Sequence, residues 1–96
     1  MKEVILITGS SRGIGAATAL LAARQGYAVC INYVRDALAA EALRARIVAE
    51  GGAAIAVQAD AGDEADVARL FGEIDARLGT LTALVNNVGV LEPKCR

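Results

Sequence analysis

Ninety-six residues with 55% hydrophobic but only 3% aromatic side chains limit the chain to one small domain, with a core of Val, Ile, Leu and Ala. A net charge of −1 with both signs interspersed offers nothing to nucleic acid or to an anionic membrane. The longest apolar run falls far short of the ~20 residues that span a bilayer, and Lys2-Glu3 before a short apolar stretch does not read as a signal peptide. The chain has no histidine, and Cys30 and Cys95 have no partner at metal-ligand spacing. No metal site is expected, and reduced thiols in a cytoplasmic protein are.

Val4-Ile5-Leu6-Ile7, four apolar residues of which three are β-branched, predicts a buried parallel strand. The glycine-rich stretch Thr8-Gly9-Ser10-Ser11-Arg12-Gly13-Ile14-Gly15 follows, then a predicted helix over 16–24. Gly26 is placed to end that helix. A second strand is predicted over 28–32, with Cys30 as a buried small hydrophobe. Asp36 can cap a helix from Ala37 to about Glu50, stopped by Gly51-Gly52. Its expected apolar face is Leu38, Ala42, Ala45 and Val48, with Leu43 and Ile47. A third strand over 54–59 is stopped by Asp60-Ala61-Gly62-Asp63. The third helix opens near Asp63, carries Val67, Leu70, Phe71, Ile74 and Leu78 at helical spacing, and ends at Gly79. A fourth strand over 81–85 runs into Asn86-Asn87-Val88-Gly89.

This alternation predicts the α/β class, a Rossmann-type doubly wound parallel sheet of order 3-2-1-4. Residues 1–96 read as the amino-terminal part of a single dinucleotide-binding domain. A strand feeding a glycine turn and a helix aims backbone N–H groups and the positive end of the helix dipole at one spot, which suits a pyrophosphate. Gly9 would permit the tight turn, Gly13 would let the backbone approach the phosphates, and Gly15 would remove a side chain where helix meets sheet. The spacing is G-x-x-x-G-x-G rather than G-x-G-x-x-G, and a glycine turn without a ligand is the plain alternative.

The glycine turn, Asp60 after the third strand and Asn86-Asn87-Val88-Gly89 after the fourth together resemble the short-chain dehydrogenase/reductase family over essentially all 96 residues. Ile31-Asn32-Tyr33 before a long helix is similar to bacterial 3-oxoacyl-carrier-protein reductases and glucose dehydrogenases. The resemblance implies an NAD(P)-dependent oxidoreductase of a small carbonyl or alcohol, homo-oligomeric (a tetramer or dimer) when intact. It implies that Ser10, Arg12 and Ile14 line the cofactor beside Gly9, Gly13 and Gly15. Asp60, next to Ala61, would receive the adenine amino group, and Asn87 and Gly89 would pass along the adenosine ribose, while Asn86 braces the central strand. Val88 stands where the family usually has Ala, which would tighten the cleft floor. The plain alternatives are that Asp60 is a turn residue and Asn86-Asn87 a polar loop.

An NAD enzyme wants a carboxylate at the end of the second strand to accept from the ribose hydroxyls. Here that place holds Asn32-Tyr33-Val34-Arg35, and Asp36 reads as a helix cap. With Arg12 and Arg35 able to attract a 2′-phosphate, NADP is expected rather than NAD. Arg35 could otherwise be a solvated loop charge.

The family's catalytic Tyr-x-x-x-Lys pair and Ser have no match. Neither Tyr27 nor Tyr33 is followed by Lys four residues on, and Lys94 has no matching Tyr. The expectation is therefore the cofactor-binding half of an oxidoreductase, without turnover of its own. The alternative is a non-catalytic dinucleotide-binding module. Sugar-nucleotide epimerase relatives space their glycines differently.

Overall fold

The computed structural model describes residues 3–10 and 13–86. In chain order the elements are β1 (Val4–Ile7), α1 (Gly13–Arg24), β2 (Ala28–Tyr33), α2 (Ala37–Ala49), β3 (Ala53–Gln58), α3 (Glu64–Arg77) and β4 (Leu81–Val85). All strand pairs are parallel and the sheet order is β3-β2-β1-β4. The chain thus lays β2 and β3 to one side of β1, then crosses to place β4 on the other. That reversal opens a crevice at the carboxyl ends of β1 and β4.

Side chains alternate across the sheet, as strand geometry requires. Ile5, Ile7, Val29, Ile31 and Ala54 point to one face, where Ala19 and Ala22 of α1 and Ala40, Leu43 and Ile47 of α2 cover them. Val4, Leu6, Cys30, Ile55 and Val57 point to the other, against Leu70 and Ile74 of α3. Alanines at the helix contacts let α1 and α2 lie close on the sheet. Among the described residues, no helix is long and apolar enough to cross a membrane.

Helix ends follow from their residues. Asp36 accepts from the Ala39 amide at 3.1 Å, and Asp63 accepts from Ala65 and Asp66, each satisfying a first-turn N–H with no intrahelical partner. Glu64 and Asp66 in the first turn and Arg77 in the last complement the dipole of α3.

Three features differ from the sequence expectation. First, α1 begins at Gly13 rather than Ala16, so the second and third glycines of the turn, Gly13 and Gly15, are already helical. Second, α2 buries Ala40, Leu43 and Ile47, while Leu38 is 86% exposed and Ala42, Ala45 and Val48 face outward. In so alanine-rich a helix apolar residues lie all round, and the row at spacing 3 and 4 that joins the bulky Leu43 and Ile47 decides the buried side. Third, α3 seats Leu70 and Ile74 but leaves Phe71 exposed at its margin.

The β1–β4 ladder carries an irregularity. Val4 pairs with Leu81 but Ile5 pairs with Ala83, so Thr82 is skipped. Its hydroxyl fills the gap, accepting from the Val4 amide and donating to the Val4 carbonyl, both at 3.1 Å. The extra residue lets Leu81 pack with the α3 cluster and Ala83 with the opposite one.

Candidate functional site

The turn after β1 is built by its own hydrogen bonds. Gly9 has φ +60°, a conformation that side chains with a Cβ disfavour. This lets the chain leave β1 and fold back to the end of β2. Ser10 is fully buried, its hydroxyl donating to the Ile7 carbonyl at 2.7 Å. Ser10 and Asn32 then exchange a reciprocal pair. The Ser10 amide donates to the Asn32 carbonyl at 2.9 Å, and the Asn32 amide donates to Ser10 Oγ at 3.2 Å.

The Asn32 side chain is 1% exposed and lies under the turn. Its Oδ1 accepts from the Gly9 amide at 3.2 Å. Its Nδ2 donates to the carbonyls of Ala59 at 3.0 Å and Val57 at 3.4 Å. One carboxamide therefore joins the carboxyl ends of β1, β2 and β3. Ser10 and Asn32 stand behind the turn with their polar atoms spent on the chain itself. The sequence hint was a polar residue closing the apolar run 28–31, which reads as a contact residue until its burial is known.

In front of the turn lies the start of α1. Gly13 has φ +67°, and a Cβ built there would meet no described atom within 4 Å. Ile14 is 79% exposed beside it, and Gly15 is buried against the sheet. The first turn of α1 has no acidic residue, so no carboxylate of its own neutralises the positive helix end. First-turn N–H groups lack intrahelical acceptors and point out of the helix end, an arrangement that suits an anion such as a pyrophosphate.

The neighbouring strand ends complete a rim. Tyr33 closes β2, half-buried against the cluster under α1 and α2, while Arg35 is exposed. The loop after β2 is tied to β3 by Gln58 Nε2, which donates to the Val34 carbonyl at 3.2 Å, and the Ala59 amide donates to the Tyr33 carbonyl at 3.0 Å. Asp60 and Ala61 are exposed. Asp60 Oδ1 accepts from the Gly62 amide and its own amide donates to Asp66 Oδ2, both at 2.9 Å. Asp60 is thus a turn residue with an outward carboxylate. Across the crevice, Asn86 follows β4 and meets Thr8. Arg12, Asn87, Val88 and Gly89, expected at this site, lie outside the described residues.

Cys30 is buried in the cluster under α3. Burial pushes its thiol up to about 12, so it stays protonated at neutral pH and is not a nucleophile.

A family model described as short chain dehydrogenase matches residues 3–95. The chain is 47% identical over 92 residues to an uncharacterized oxidoreductase, YgfF, of Escherichia coli K12, covering 96% of this chain and 37% of that protein. It is 44% identical to a 3-oxoacyl-[acyl-carrier-protein] reductase of Synechocystis, covering 92% of this chain and 36% of that one. Among solved structures, the short-chain dehydrogenase/reductase of Serratia marcescens superposes with a TM-score of 0.84 at 36% identity, over 88% of this chain and 35% of that chain. The chain thus spans little more than a third of the length of the relatives it matches.

Proposed function

The chain belongs to the short-chain dehydrogenase family, and we propose that it is the dinucleotide-binding part of a longer NADP(H)-dependent oxidoreductase. The observation that carries this reading is the turn between β1 and α1. It pairs positive φ at Gly9 and Gly13 with a helix start free of carboxylates, at the point where the sheet reverses its strand order.

The bound dinucleotide supplies or takes up the hydride; this chain's residues bind and orient it. Backbone amides from Gly9 to Gly15 and the α1 dipole hold the pyrophosphate. Ile14 covers it from one side. Asp60, beside Ala61, would receive the adenine amino group, and Asn87 and Gly89, with Val88 between them, would be the residues for the adenosine ribose. Ser10 and Asn32 act from behind, by fixing the turn. Proton exchange with the substrate oxygen falls to residues beyond this stretch, since no Tyr-x-x-x-Lys pair occurs in it. A small carbonyl or alcohol is the substrate class that goes with the family.

NADP over NAD rests on the end of β2. No carboxylate stands between Asn32 and Arg35, and Asp36 is spent on capping α2. Arg35 is exposed and, with Arg12, can pair a 2′-phosphate through two parallel N–H bonds. Titrating the natural-length protein with NADPH and NADH tests this. NADPH is expected to bind more tightly by roughly 1.5–3 kcal/mol, the size of a charge-assisted contact. The Arg12→Ala, Arg35→Ala double variant is expected to close the gap. Equal or tighter NADH binding contradicts the assignment.

A further inference from the structure

We propose that Asn32 is a positioning residue for dinucleotide binding, one that sets the phosphate-facing turn through the Gly9 amide and ties it to the loop that carries Asp60. The inference rests on the reading of this turn as the pyrophosphate site.

The network admits one orientation of the carboxamide. Oδ1 faces an N–H, and Nδ2 faces two carbonyl oxygens. Reversing it would set donor against donor once and acceptor against acceptor twice. No other side chain of this size has an acceptor on one branch and donors on the other. Leucine fills the space with neither, serine is too short to reach both strands, and ionised aspartate keeps the acceptor but lacks the donor. The residue is buried, so no water is at hand to replace a lost partner.

Two walls of the site are joined in this way. Gly9 opens the turn in front of α1, and Ala59 immediately precedes Asp60. With the carboxamide gone, the Ser10–Asn32 pair and the Ser10 bond to Ile7 remain, but the Gly9 amide loses the bond that sets its height over β2. Dinucleotide affinity then falls without any change in the groups that touch the ligand. Because the pyrophosphate is common to both dinucleotides, NADP+ and NAD+ weaken together.

Asn32→Asp turns this into a pH-dependent readout. A protonated carboxyl has one O–H to donate to Ala59 and one oxygen to accept from Gly9, so it reproduces the carboxamide except for the longer bond to Val57. The ionised form faces the carbonyls of Val57 and Ala59, and burial beside them raises the carboxyl above its ordinary range. Cys30, Tyr33 and Arg35 along β2 and just past it, and Asp60, Asp66 and Arg69 beside the end of β3, are the titratable and charged groups on the elements around it. Arg35, Asp60 and Arg69 are exposed. The described part of the turn after β1 contributes no charge.

The experiment measures NADP+ and NAD+ affinities of the natural-length parent, Asn32→Asp and Asn32→Ser by calorimetry from pH 5 to pH 8. Circular dichroism at each pH confirms the folded fraction. The ratio of Asn32→Asp to parent dissociation constants is expected near one at the acid end, rising to about ten-fold at the alkaline end, the scale of one lost buried hydrogen bond. Asn32→Ser, which is neutral and smaller, is expected to weaken both dinucleotides by the same factor at every pH. It carries the test should Asn32→Asp fail to fold. A parent that binds while both variants match it throughout overturns the role of Asn32 and leaves the site reading intact. A parent that binds neither dinucleotide overturns the site reading and this inference with it.

Discussion

The hydroxyl of Thr8 donates to Asn86 Oδ1 at 3.1 Å, joining the residue after β1 to the residue after β4. The Thr8 amide also donates to the Val85 carbonyl at 3.0 Å, so the ladder extends one step past both strands. This pair spans the floor of the crevice created where the strand order reverses. Asn32 braces the other flank of the same turn, so β1 is held on both sides at the point where its chain must leave the sheet.

Thr8→Val keeps the β-branched shape and removes the hydroxyl. Asn86 is exposed and can recover a water, so the expected loss is the net value of one hydrogen bond, about 1 kcal/mol. Urea unfolding with an unchanged slope measures it, and Thr8→Ser is expected to restore most of the difference. An unaltered midpoint in Thr8→Val would show that the pair contributes nothing.

Gly13→Val separates fold from binding. A Cβ at Gly13 meets no described atom, so the internal cost is backbone strain at φ +67°, about 1–2 kcal/mol. The branched side chain also stands where a pyrophosphate would approach the backbone. A folded variant with dinucleotide binding abolished is expected. Parent-like NADPH affinity in a folded Gly13→Val would contradict the phosphate cradle.

Cys30 yields a prediction in pH. Its thiol is raised from 9.0 to about 12 by burial, so the folded state holds the proton more tightly than the unfolded chain. The associated stability is complete below pH 9 and is lost as pH rises from there toward 12. Denaturation midpoints should fall across that window, less steeply in Cys30→Ala. At pH 8 a thiol reagent is expected to label Cys30 only at the rate of unfolding, and immediate labelling at Cys30 of a folded Cys95→Ser variant would contradict its burial.

Much of this arrangement was legible from the residues. Val4-Ile5-Leu6-Ile7 before a glycine turn, Asp36 and Asp63 at helix starts, and glycines at helix ends each carry a local physical signal that the tertiary structure left standing. The order 3-2-1-4 followed from crossover rules applied to that alternation. Three matters depended on tertiary context. The buried side of α2 was hidden by alanines that pack equally well on any face. The skipped Thr82 is a pairing event between distant segments, with no local mark in Leu81-Thr82-Ala83. Ser10 and Asn32 have the polarity of contact residues, and only the meeting of three strand ends turns their hydrogen bonds inward.

The open side of β4 carries a further prediction. Among the described residues, β4 has no strand beyond it, bears no charge, and leaves Leu84 55% exposed. Such an edge is a template for pairing. Residues 1–96 expressed alone are expected to associate with rising concentration in size-exclusion chromatography and to catalyse no NADPH-dependent carbonyl reduction. Leu84→Lys is expected to shift the profile toward monomer. A monodisperse, cooperatively melting monomer of the parent stretch would contradict the first point, and turnover on any ketone the second.

The central claim is that a dinucleotide lies across the carboxyl ends of these strands with its pyrophosphate at the start of α1. Amide-resolved NMR of the natural-length protein, titrated with NADP+, tests it most directly. The account predicts the largest shifts at the amides of Gly9, Gly13, Ile14 and Gly15, followed by Asp60 and Ala61, with the amides of α3 beyond its first turn unmoved. Saturating NADP+ that leaves the Gly9 to Gly15 amides in place, or that moves α3 instead, would contradict it.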